Sequence, residues 1–150
     1  MDETAFNKVV ERFDKNAITI VNEGLLMYLN MDEKKHLCRT INGILKKRGG
    51  YWITADVYVK RPLVTQVTFQ QSESETTFFQ QHNIEENKFD SYAAAEAFFR
   101  QQGLGLVKAA VPDIQQLSSL PHLIETAPVQ LSNTGEQLPK LQETWMLQAI

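Results

Sequence analysis

The chain has 150 residues, 18 of them acidic and 15 basic, giving a net charge of -3 at pH 7 and a pI near 5.6. That length suits one domain able to bury roughly 70% of its unfolded surface. The charge balance supplies no positive field for gripping a phosphate backbone, which argues against nucleic acid as a partner. A single cysteine, Cys38, excludes an intramolecular disulfide and a multi-cysteine zinc site, and fits a reducing, cytoplasmic setting. No run approaches the ~18 apolar residues of a membrane span, and the acidic, amphipathic start does not read as a targeting peptide.

In chain order, TAFNKVVERFD (residues 4–14) sets Phe6, Val9, Val10 and Phe13 at i, i+3, i+4 and i+7, one face of a short helix. AITIVN (residues 17–22) follows with strand length and β-branched content, and its lack of alternation predicts an interior strand buried on both faces. After Asn22-Glu23-Gly24 and LLMYL, the segment NMDEKKHLCRTINGILKKRGG reads as a helix. Asn30 or Asp32 can cap it, Leu37, Ile41, Ile44 and Leu45 line its inner face, Lys46, Lys47 and Arg48 suit its C-terminal dipole, and Gly49-Gly50 ends it. YWITADVYV is a second strand, so residues 17–59 form a β-α-β unit with parallel strands.

Residues 60–90 are rich in Gln, Ser, Thr and Glu, and predict short helices and loops over the rim of a sheet. Asp90 or Ser91 then caps YAAAEAFFRQQ, which Gly103 stops, and LGLVKAAV is the next strand. From Pro112 to Lys140 the prolines and small polar residues predict a long connection. ETWMLQAI is a terminal strand with Trp145 and Leu147 on one face, pairing antiparallel with LGLVKAAV. The predicted fold is α/β, a mixed sheet of about four strands with helices on both faces.

The chemistry-bearing stretch is AITIVNEGLLMYL, because ligands of open parallel α/β sheets bind at the carboxyl ends of the strands. Glu23 and Gly24 stand at such an end: a glycine lets a ligand or a neighbouring backbone approach, and a carboxylate accepts charged hydrogen bonds from an ammonium group. The local alternative is that Glu23 caps or bonds at a strand-helix turn, with Tyr28 as ordinary core. Asp56, near the end of the second strand, is an acceptor-side candidate beside that crevice, or else a cap or a partner of Lys60 or Arg61. His36, His82 and His122 have no ligand spacing, so no metal site is assigned, and Cys38 reads as a small packing residue. Phe98-Phe99 reads as core; Phe78-Phe79 is core or lines an acceptor pocket.

NEGLLMYL, followed by a helix and GGYWITADVY, resembles the central motif of the leucine carboxyl methyltransferase family, in particular its bacterial branch of polyketide-biosynthesis O-methyltransferases. FDSYAAAEAFFRQQGLGLVKAAVPDIQQLSSL is similar to that family's later helix and penultimate strand. The resemblance implies a Rossmann-like class I fold dependent on S-adenosylmethionine, with AITIVNEGLLMYL as its fourth strand and following loop. It implies that Glu23, Gly24, Leu25 and Tyr28 surround the cofactor: Glu23 near its methionine part, Leu25 and Leu26 walling the transfer site, and Tyr28 supporting the loop. The methyl acceptor would be a hydroxyl or carboxyl oxygen of a small molecule.

The Gly-rich turn and the acidic ribose partner of such a fold have no counterpart here, since Gly49-Gly50 and Gly103-Leu104-Gly105 follow helices. The expectation is therefore the C-terminal half of the domain. The 17–22 strand edge would then be covered by the other half or by a second copy of the chain. The alternative is a non-catalytic binding or assembly module retaining half of this fold.

Overall fold

The computed structural model describes residues 3–60, 83–111 and 142–150. Predicted features in residues 61–82 and 112–141, among them Phe78-Phe79, His82, His122 and the proline-rich connection, lie outside the described residues.

The first helix, α1, spans Glu3–Val10 and ends before Phe13. Of its predicted face only Val10 is buried and Phe6 half-buried, while Val9 and Phe13 stay exposed. It is held by Arg48, which donates to the carbonyls of Val10 (2.8 Å) and Asn16 (3.2 Å). Strand β1, Ile18–Asn22, leads through a short 3-10 turn, Leu26–Tyr28, into α2, Met31–Arg48. Asn30 caps α2: its side chain accepts from the amides of Asp32 and Glu33 while Glu33 reaches back to the Asn30 amide. Leu37, Ile41, Ile44 and Leu45 are buried as the periodicity predicts, each contributing about 1.5–3 kcal/mol at most.

Gly49 and Gly50 turn the chain into β2, Gly50–Tyr58. A short helix α3, Ile84–Asn87, precedes α4, Tyr92–Gln101, which Ser91 caps through the Ala94 amide. Strands β3, Leu104–Ala110, and β4, Gln142–Ala149, complete a four-stranded mixed sheet of order β1-β2-β4-β3. The β1-β2 pair is parallel, and β4 runs antiparallel to both β2 and β3, as the sequence predicts for the β-α-β unit and the terminal pair.

Register settles which side chains share a face. Ile20, Trp52, Leu147 and Leu106 form one row across all four strands, and Val21, Ile53, Met146 and Lys108 form the row on the opposite face. The first row carries the core. There the Phe99 ring packs edge-on to Trp52 at 5.6 Å and lies 5.9 Å from Trp145, and Leu37, Cys38, Ile41 and Leu45 of α2 join the same cluster. Asn42 of α2 also donates to the Gln102 carbonyl at the end of α4 (3.0 Å).

Among the described residues α2 and α4 pack into the same core cluster, so helices are seen on one of the two predicted faces. Strand β1 is the end strand of the sheet among the described residues, as expected for a chain without the strand that would flank it, but one expectation is corrected: its Val21 is 68% exposed, where burial on both faces was predicted from composition. Composition reports that a strand is apolar; it does not report whether anything lies beside it.

Candidate functional site

Strand β1 ends at Asn22, and Gly24 turns the chain with φ +64°, open space lying where a Cβ would stand. The backbone amides beyond it are gathered by one carboxylate. β2 carries one extra residue relative to β4 between Thr54 and Val57, and Asp56 within that stretch keeps the buried side of Trp52 and Thr54, two residues beyond the pairing of Thr54 with Asn22 at the end of β1. One Asp56 oxygen accepts from the Gly24 amide, and the other accepts from the amides of Leu25 (2.7 Å) and Leu26 (3.3 Å) and from the Asn22 side chain (2.7 Å). Four donors match the roughly four lone-pair sites of a carboxylate, which lets a charge only 1% exposed persist in the interior. The Trp52 indole N–H donates to Asn22 Oδ1 (2.6 Å), extending the network into the core.

The other side of the loop is held through its carbonyls. Leu26 is buried, and the 3-10 turn sets the Tyr28 and Leu29 amides on the Leu25 and Leu26 carbonyls. Lys34 Nζ donates to the Leu29 carbonyl (2.6 Å) and to the Asn87 carbonyl, 5.5 Å from the Phe89 ring centre. The Asn87 side chain donates in turn to the Met27 carbonyl (3.3 Å). The segment carrying Asn87 is stitched to the end of β2 by the Phe89 amide on the Tyr58 carbonyl, the Lys60 amide on the Phe89 carbonyl, and a Lys60-Asp90 ion pair.

What the loop presents outward is Glu23, Gly24, Leu25 and Tyr28, all exposed at the shared carboxyl end of β1 and β2. Glu23 forms no hydrogen bond or ion pair among the described residues. Leu25 lines a groove of roughly 670 Å³ with Leu29, Met31, His36 and Leu37. Tyr58 stands nearby on β2: burial first, then the charges of Asp56 and Glu23, push its phenol above the ordinary tyrosine range.

The four residues implied to surround a cofactor thus share one loop. Leu26, given the same role as Leu25 by the resemblance, belongs to the core instead. Asp56, read from sequence as an acceptor-side candidate or a cap, faces backbone amides, and its oxygens are engaged by the loop. Lys60 pairs with Asp90 instead. Sequence reasoning missed Asn22, Lys34, Tyr58 and Asn87. Only Asn22 carried a signal, a polar residue ending an apolar strand; Lys34 stands in a Lys-Lys pair that reads as a solvated helix face.

Burial pulls the Lys34 ammonium down to about 8 and pushes the Cys38 thiol up to about 12, so Cys38 is a packing thiol and not a nucleophile near neutral pH. His36 is exposed. Among the described residues no three His, Cys, Asp or Glu side chains converge as a metal site, and no helix is long and apolar enough to cross a membrane.

Fold and site together define an α/β protein with an open, four-stranded mixed sheet and a doubly held loop at the carboxyl ends of its parallel strands. No known family's model matches the chain, and no curated protein matches it.

Proposed function

We propose that this chain forms the C-terminal half of a class I, S-adenosylmethionine-dependent O-methyltransferase. The acceptor would be a hydroxyl or carboxyl oxygen of a small molecule such as a polyketide. The observation that carries this reading is the Glu23–Tyr28 loop, rigidly held at the carboxyl end of a parallel β-α-β unit while the Glu23 carboxylate stays unengaged. Its residue types suit that cofactor. Glu23 accepts hydrogen bonds from the ammonium of the methionine part, Gly24 admits close approach, and Leu25 supplies an apolar wall that keeps water away. When bound, S-adenosylmethionine supplies an electrophilic methyl group; the protein's task is to orient the acceptor oxygen toward it. Asp56 contributes by fixing the backbone that aims Glu23.

In this reading the open edge of β1 takes a further strand. A parallel ladder engages alternate residues, so with the Ile18 amide turned to the Gly49 carbonyl, Thr19 and Val21 offer their backbone groups outward. The covering strand belongs to the Gly-rich half of the domain or to a second copy. The uncovered edge and the Val21 face also support a second reading, a binding or assembly module without catalysis.

Calorimetric titration with S-adenosylhomocysteine, with light scattering to fix the mass, tests both. Micromolar binding supports the methyltransferase reading; a well-defined dimer with no binding supports the module. In the binding case Glu23→Ala is expected to weaken affinity by about tenfold, the loss of a charge-assisted hydrogen bond, with thermal stability unchanged. Unchanged affinity would remove Glu23 from the cofactor.

A further inference from the structure

We propose that Lys34, with Asn87 as its partner, is a positioning residue that holds the Glu23–Tyr28 loop in place from the side opposite Asp56. For its bearing on ligand binding this rests on the function proposed above; for the loop itself it does not.

Lys34 is an ammonium-bearing side chain only 1% exposed, with no carboxylate bonded to it among the described residues. A buried cation without an acidic partner is unfavourable, and an apolar side chain of the same length would fill the space without that penalty. Its donors go to main-chain carbonyls of two separate segments, Leu29 at the end of the loop and Asn87 at the end of α3. Asn87 closes the triangle by donating to Met27. Loop amides Gly24, Leu25 and Leu26 are thus held by a buried anion, and loop carbonyls Met27 and Leu29 by a buried cation and an amide. Each group matches the polarity of the backbone it faces. With the Lys34 and Asn87 clamp lost, the carbonyl side of the loop loses its bonds to Lys34 and Asn87 while Asp56 still holds its amides, and the end of the loop at Tyr28 and Leu29 opens more readily.

Burial lowers the Lys34 ammonium to about 8, so opening that returns it to water becomes harder as pH rises above that value. Its charged or titratable neighbours are Cys38 and Glu33, both on α2; the loop and residues 84–89 face it with the Leu29 and Asn87 carbonyls and the Phe89 ring.

Amide hydrogen exchange on the full chain tests this with Lys34→Met and Asn87→Ala. The expected result is exchange of the Tyr28 and Leu29 amides faster by about tenfold in either variant, as for one or two lost hydrogen bonds, with β2 and β4 amides protected as in the parent. In the parent the opening constant of these loop amides, corrected for intrinsic exchange, falls several-fold between pH 8 and 9, and in Lys34→Met it does not. Loop exchange equal to the parent's overturns the proposal. So does loss of loop and sheet protection in parallel, which would make Lys34 a general stabiliser. Should Lys34→Met fail to fold, Asn87→Ala decides, since it removes a loop bond without touching the buried charge. If the parent binds S-adenosylhomocysteine, both variants weaken it; if it does not, the exchange data still judge the clamp.

Discussion

Asp56 and Lys34 are buried charges answered by backbone groups instead of by each other, and each makes a distinct demand. Asp56 must accept four times, so Asp56→Ala leaves three loop amides and the Asn22 amide group without their acceptor and is expected to destabilise the fold by about 2–4 kcal/mol in urea denaturation. Asp56→Asn should do nearly as much damage, because its NH2 turns a donor toward donors. Lys34 sets a pH dependence. Its folded pKa of about 8 lies below its ordinary 10.5, so the folded state sheds the proton first and stability rises as pH climbs above 8. Cys38 opposes this from pH 9 upward: its thiol, raised from 9.0 to about 12 in the fold, contributes stability that is lost as pH rises. Denaturation midpoints should therefore rise between pH 8 and 9, and Lys34→Met should flatten that rise.

Among the elements, α2 was legible apart from its buried Lys34, because its cap, apolar period and glycine stop are set by neighbours within four residues. The β2 bulge was not, because it exists only relative to β4. The turn between α2 and β2 shows how far local signals reach. Gly49 and Gly50 both have positive φ, yet a Cβ on Gly49 meets open space while one on Gly50 would stand 1.9 Å from the Ile18 carbonyl oxygen. Gly49→Ala is expected to cost about 1–2 kcal/mol for backbone conformation alone. Gly50→Ala adds a clash with the paired strand and should exceed about 3 kcal/mol, with thermal melts ranking the two. The sequence marks both as a helix stop; the close approach of β1 separates them.

Among the described residues, α2 and α4 pack into one core cluster and β1 is the end strand of the sheet, where Val21 is 68% exposed. An apolar edge strand invites pairing, so the chain is expected to associate with rising concentration in sedimentation velocity, and Val21→Lys to suppress that association without lowering the melting temperature. The sequence by itself determined the kinds of element, their order, the parallel β-α-β unit, the antiparallel end and the inward faces of α2 and β4, because periodicity, caps and turn residues act between near neighbours. It also singled out the Glu23 loop, since an acid and a glycine ending an apolar strand are visible in six residues. Only the tertiary structure decided that β4 lies between β2 and β3, that Val21 of β1 is exposed, and that the loop is held by two charges. Asp56 reaches the Gly24 amide across 32 residues and Lys34 reaches the Asn87 carbonyl across 53. Contacts at that separation leave no periodic trace in the chain, so a buried lysine and a solvated one read alike until the fold brings their partners together.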